Sequence, residues 1–368
     1  MIKSNLVLKT FLSLTIFIAF TVSLFSPALS IASANNTLPV FTNYPIPQKL
    51  SLCGEPLPLE DQYVKEMLDR EFTISVWDQA QVFMWLKRAG RYFPHIEIEL
   101  AKAGLPSDLK YLAVAESSLI PHIRSKAGAI GIWQFMPATG ERFGLQNTNT
   151  LDERRQFEQS TKAAINLLTK LYQQFASWSL AMAAYNCGER CVENAIREQK
   201  INNYYRLSLP RETERFVFRI AAIKIILENP ESFGYHLSPE QVYRPVAADM
   251  VTVYLQYPLH ITDVAKELGT DFKMIRDLNP HIIVNYLPSG TYTLQVPQGK
   301  GQKLYTAIGK LSKIAAEKPR EVDNYYIVVS NDNLSIISRK TGVSVSQLKS
   351  LNGIKGDIVH VGQRLRIR

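Results

Sequence analysis

Pro106-Ser107-Asp108-Leu109-Lys110-Tyr111-Leu112-Ala113-Val114-Ala115-Glu116-Ser117-Ser118, and then Ser125-x-x-Gly128-Ala129-x-Gly131-x-Trp133-Gln134-Phe135-Met136-Pro137, are the stretches that decide how this chain is read. Pro106-Ser107 is a helix start and Pro121 lies just past a helix end, so the spacing predicts a helix over 108–119. Leu109, Leu112 and Ala113 stand at i, i+3 and i+4 and form a buried stripe, and Glu116 falls on the same stripe at i+7. A carboxylate on an apolar face is either paired or holds its proton, because its charged form is poorly solvated. A carboxyl that stays protonated near neutral pH is what a glycosidic general acid needs. Periodicity alone fits equally a salt-bridged Glu bracing another helix. The glycines at 128 and 131 permit close backbone approach and positive φ, and they lead into an aromatic that can stack on a sugar and an amide that can bond its hydroxyls.

Outward from that stretch, residues 105–235 read as a run of helices. One follows Asp152, with Ala163, Ala164, Leu167, Leu168, Leu171 and Tyr172 on one stripe. Another carries Leu180, Ala183 and Ala184 toward Tyr185, and a third covers about 212–227. Upstream, 59–104 is helical and aromatic and is expected to pack on the following domain. Downstream of Pro245 the texture changes to short β-like runs flanking helical stretches. An offset of 73 aligns Ile261 with Leu334, Val264 with Ile337, Gly269 with Gly342, Leu278 with Leu351 and Asn279 with Asn352. Two copies of one small α+β module are therefore expected, at 245–298 and 323–368. The Lys- and Ala-rich stretch between them, 299–322, is assigned as a linker, although an extra helix fits it as well.

The first 34 residues have the order of a secretory signal: Lys3 and Lys9, an apolar run from Phe11 to Leu24, and Ala32-Ser33-Ala34 as a cleavage site. The competing reading is an uncleaved membrane anchor. Export permits disulfides, and the three cysteines are Cys53, Cys187 and Cys191. A bridge between the last two is awkward within a regular helix, an objection that a turn at Gly188 relaxes. The net charge of +9 suits an anionic partner. No clustered basic run supports nucleic-acid binding, the six His form no ligand spacing, and neither metal nor cofactor is expected.

Glu116-Ser117, then Gly128-Ala129-x-Gly131-x-Trp133-Gln134-Phe135-Met136-Pro137, then Ala184-Tyr185-Asn186-x-Gly188, resemble the soluble-lytic-transglycosylase family. Tyr326-x-Val328, Leu334, Ile337, Leu348, Asn352 and Gly362-Gln363-x-Leu365 resemble a LysM domain. The resemblance implies a mainly α, lysozyme-like catalytic domain over 95–235, preceded by an extension at 35–94 and followed by two small LysM-like modules. It implies a monomeric enzyme of the periplasm or cell envelope acting on peptidoglycan glycan strands. Glu116 would protonate the oxygen between N-acetylmuramic acid and N-acetylglucosamine, then act as base on the sugar's own 6-hydroxyl, leaving a 1,6-anhydro end.

By the same resemblance, Ser117 would orient Glu116 or substrate, Gln134 would line the groove, and Tyr185 would stabilise charge near the acid with Asn186 positioning its loop. Ser118, Gly131, Trp133, Met136 and Phe216 would contact glycan. In the last module Asp332, Leu334 and Asn352 would mark the sugar-binding loops. The sequence departs from the family in two places. Phe216 stands where Tyr is usual, and Asn331-Asp332-Asn333-Leu334 replaces Gly-Asp-Thr-Leu. The module at 245–298 keeps little beyond core positions and reads as a brace. Two other readings fit the same residues: a lysozyme-type hydrolase, with Asp152, Glu189 or Glu212 folding near Glu116, and a catalytically inactive wall-binding protein.

Overall fold

A computed structural model describes residues 43–317, 325–328, 331–360 and 363–367; residues 1–34, read above as a secretory signal, lie outside them. A small hairpin of β1 (Ser51–Leu52) and β2 (Glu55–Pro56) precedes α1 (Gln62–Trp77) and α2 (Gln79–Lys102). A 3₁₀ turn at Ser107–Leu109 leads into α3 (Lys110–Ser117), and then come α4 (Pro137–Arg142), α5 (Phe157–Phe175), α6 (Trp178–Cys187), α7 (Glu189–Gln199) and α8 (Arg211–Glu228). Asp61 caps α1 by accepting from the amides of Tyr63 and Val64, and Asp78 ends α1 and caps α2.

These helices share one core that runs from Leu52 to Tyr235, so the extension is a structural part of the helical unit. Helix α8 is its spine: Phe216, Ile220, Ile223 and Ile226 are buried, and α1, α3 and α6 all pack against it. The predicted stripe of α5 is buried except at Tyr172, which lies outside and stacks on Trp178 at 4.2 Å. Across the α1–α8 seam the carboxylate of Glu71, 2% exposed, accepts from Arg215 at 2.7 Å, with Arg70 and Arg219 also paired to it. A buried carboxylate held this way leaves its helix only by losing several partners at once.

Beyond Tyr235 the connector is clamped on α2. The Tyr243 amide donates to Lys87 O at 2.9 Å, and Val242 sits so close to Gly90 that a Cβ there would meet it at 2.1 Å. The first module consists of β3 (Ala248–Leu255), β4 (Leu259–His260), α9 (Ile261–Leu268), α10 (Phe272–Leu278), β5 (Tyr286–Leu287) and β6 (Gly290–Pro297). Strands β3 and β6 pair antiparallel, from Ala248 opposite Pro297 to Leu255 opposite Gly290. The stretch assigned as a linker differs from that reading: residues 301–317 form α11 (Gly301–Glu317), which packs on β3 and α9 and buries Leu304 and Ile308 in the module's core. An apolar face with an i, i+4 pair had a two-stranded sheet left half-covered to close on.

The last module repeats the plan with β7 (Tyr325–Ile327), α12 (Leu334–Thr341), α13 (Val345–Asn352) and β8 (Arg364–Arg366) around its own small core. The repeat extends to hydrogen bonds. Asn279 joins Ile275 O to both backbone groups of Gln295, and Asn352 joins Leu348 O to both backbone groups of Arg366. If α11 belongs to the module, Leu304→Ala should destabilise it by about 2–5 kcal/mol, whereas Tyr305→Ala on the exposed side should stay within about 0.5 kcal/mol. Hydrogen exchange of the β3 and β6 amides reads the difference, and equal protection in both variants would return α11 to linker status.

Candidate active site

Glu116 lies in the last turn of α3, which ends where Ser118 takes a left-handed conformation, φ 53°. The Ser118 carbonyl accepts from Arg88 of α2 at 3.0 Å, which fixes the end of the helix. Glu116 is part-buried, and burial is the main reason its pKa rises from 4.5 to about 8. The nearby charge of Glu212 pushes in the same direction, and Arg219 opposes it. A position at a helix C-terminus also disfavours the anion. The carboxyl is therefore largely protonated at neutral pH. Tyr185, the last buried turn of α6, sits beside it, and burial followed by the Glu116 charge holds the phenol neutral.

The Gly128–Pro137 segment folds under this pair as a tight loop with an Ile130–Phe135 bridge. Tyr185 Oη donates to the Trp133 carbonyl at 2.7 Å, joining the loop to α6. Gln134 has φ 49° and its amide donates to Gly131 O at 2.7 Å, so it is part-buried and tied to its own loop. Met136 is 41% exposed on the open side. Asn186 accepts from Thr213 Oγ1 at 2.7 Å, which ties the end of α6 to the start of α8. Just beyond it, Gly188 takes φ 95° and breaks the helix, and Cys187 and Cys191 form a disulfide across that break.

Several residues expected to meet glycan are elsewhere. Trp133 is fully buried, and its indole N–H donates to Thr161 Oγ1 at 2.9 Å; it is core, because this polar partner removes the only reason to stay near water. Phe216 is core as well, at 1% exposed, on the spine helix. Ser117 is buried and bonds back to Ala113 O at 3.1 Å, so its hydroxyl serves the helix rather than the acid. Ser118 and Gly131 act through backbone shape. A Cβ on Gly131 would lie 2.0 Å from Arg154 O. In the last module Leu334 is core, and Asn352 is the strand-joining amide. The Asp332 side chain, 1% exposed, is held by Tyr326 Oη at 2.7 Å and Lys340 at 2.8 Å.

Of the three acids considered as a second carboxylate, Asp152 is buried with Arg154 and Arg155, and Glu189 pairs with Arg142 and Lys170. Only Glu212, exposed in the first turn of α8, has a charge that bears on Glu116. Among the described residues, the buried charges of Glu71 and Arg154 escaped sequence reading. Glu71 stands at i+7 from Val64 on a buried stripe, the same pattern that marked Glu116, and would have been found by applying that test throughout. Arg154 carried no such sign, because the backbone carbonyls it holds, Gly128 O and Phe135 O, come from a separate loop. Among the described residues no His, Cys, Asp or Glu cluster could hold a metal ion.

The helical core, the shielded carboxyl and the loop beneath it lie within a segment that matches a known domain family. Residues 94–207 match the transglycosylase SLT domain, residues 326–368 the LysM domain, and residues 249–313 the LysM-like domain of lytic transglycosylase MltD. The matched segments thus run, in chain order, from a transglycosylase-like domain to two LysM-like modules. Membrane-bound lytic murein transglycosylase D of Escherichia coli (strain K12) is 32% identical over 292 residues, covering 76% of this chain and 64% of that protein. The chain therefore spans somewhat under two thirds of that relative's length. An autolysin of Enterococcus faecalis is 48% identical over 46 residues, 12% of this chain and 6% of its own. The 70 kDa soluble lytic transglycosylase of Escherichia coli aligns at 19% identity with a TM-score of 0.32, over 42% of this chain and 27% of its own.

Burial of a protonated Glu116 has a measurable consequence. Its folded pKa lies above its unfolded value, so its contribution to stability is complete below about pH 4.5 and is lost as pH rises through about 8. Glu116→Gln removes that dependence. The variant should match wild type at pH 4 and exceed it by up to about 3 kcal/mol at pH 7. Thermal or urea unfolding across that range checks it, and a constant difference would mean the carboxyl ionises freely in the folded protein.

Proposed function

We propose that the protein is a lytic transglycosylase of the cell envelope that cuts peptidoglycan between N-acetylmuramic acid and N-acetylglucosamine, with Glu116 as sole acid and base. The observation that carries this reading is the Glu116 carboxyl shielded at the end of α3 beside Tyr185, a burial that raises its pKa to about 8. The Glu116 proton passes to the glycosidic oxygen as the C1–O bond breaks. Positive charge grows on the sugar ring, and Tyr185, beside Glu116, is the residue assigned to stabilise it. The Glu116 carboxylate then takes the proton of the 6-hydroxyl as that oxygen bonds to C1. One C–O bond is broken and one formed, no water is consumed, and Glu116 regains its proton. Such a cycle needs no carboxylate nucleophile, unlike the two-carboxylate scheme. The last LysM module holds the enzyme on the wall, and the sequence of residues 1–34 fits an export signal.

The proximity of Glu212 favours one second reading, a hydrolase in which that carboxylate activates water. Product chemistry separates the two. Digests of purified sacculi should contain muropeptides with non-reducing anhydro ends by mass spectrometry. Reducible ends would support the hydrolase. Glu116→Gln should lower turnover by at least about 10²-fold, and the wild-type rate should fall as pH rises through about 8, where the acid loses its proton. Full activity in that variant would sink the assignment.

Deletion of 323–368 tests the wall-holding role. Cleavage of soluble glycan should persist while binding to insoluble sacculi weakens; undiminished sacculus binding would remove the LysM claim.

A further inference from the structure

The catalytic unit and the 249–313 module meet at a seam whose bonds lead into the active-site loop. The turn before α5 is stiffened by Thr148, whose amide donates to Leu151 O at 2.7 Å and whose hydroxyl accepts from the Leu151 amide at 3.0 Å. Leu151 forms an antiparallel bridge with Ile282 and packs against the module's core. The Asp152 amide donates to His281 O at 2.8 Å, and the Ile283 amide donates to Thr150 O at 3.0 Å.

Asp152 then grips Arg154 with both oxygens, at 2.8 and 2.9 Å, and both side chains are almost wholly buried. Arg154 Nη1 donates to Gly128 O and Phe135 O, each at 3.2 Å, so one guanidinium holds both ends of the loop beneath Glu116 and Tyr185. A planar fork fixes orientation as well as position, which an ammonium cannot do. The backbone O of Arg154 fills the space that a side chain on Gly131 would need.

We propose that the 249–313 module is a working part of the catalytic unit: by docking on the 148–152 turn it holds Arg154 in the pose that fixes the Gly128–Phe135 loop, and Arg154 is a positioning residue for the Glu116 site. The kinetic side of this rests on the transglycosylase reading; the mechanical side does not. A displacement of the loop by about 1 Å is enough to lower turnover by up to about 10²-fold without loss of binding.

The test uses the full chain and a soluble glycan too short to engage the last module. Arg154→Lys keeps the charge and loses the fork. Leu151→Asp loosens the seam without touching the loop, and Leu151→Ala is the milder substitute if that variant folds poorly. Each should lower kcat at least about 10-fold with KM nearly unchanged, and the double variant should be no worse than the stronger single one. Hydrogen exchange at the Ile130, Gly131 and Phe135 amides should speed up in the Leu151 variants. Loosening of the seam, read as faster exchange at Ile283, with unchanged kcat and unchanged loop protection would overturn the proposal. A wild-type protein without glycan turnover would defeat the functional reading instead, and the loop exchange would still decide the brace.

Discussion

A carboxyl kept from water at the end of α3 is the constraint from which most of the helical unit follows. Glu116 sits where α3 ends, with a spine helix behind it and a neutral phenol beside it. Burial does most of the work of retaining the proton, and a second negative charge adds to it. The same burial tends to unfold the site. The opposing forces are a shared core reaching back to Leu52 and the ion pairs of Glu71 with Arg215 and Arg219, which tie α1 to α8.

The polar pins are distributed with some economy. Arg88 fixes the end of the acid's helix, Thr213 fixes the turn after Tyr185, and Arg154 fixes the loop. Each uses a side chain from one element to satisfy backbone or amide groups of another, so no pin is local in sequence. That is why the position of the acid is insensitive to the helical propensity of its short, eight-residue helix.

Glu116 was legible in the sequence because a charge on an apolar stripe breaks a pattern that everything around it obeys. The repeat of modules was legible because core positions recur at one spacing, and the structure extends the match to the paired asparagines. Trp133 and Phe216 were not legible as core, since an aromatic reads alike whether its face meets a sugar or a helix. Thr161, 28 residues away, decides it for Trp133. Asp332 and Asn352 misled for the same reason: polar residues in short loops suggest ligands, and here they satisfy their own module's backbone and side chains. The region around 301–317 was ambiguous because its lysines and alanines suit either solvent or a lightly covered sheet.

The seam between α1 and α8 also sets an order of assembly. Glu71 meets Arg215 across 144 positions of chain, and the Asp152 amide waits for His281. A chain delivered from its N-terminus therefore carries its acid long before the groups that shape the pocket around it. Contacts of such separation form late, after loop closure has been overcome. The surroundings of Glu116 are thus completed only when the segment beyond the helical unit has arrived.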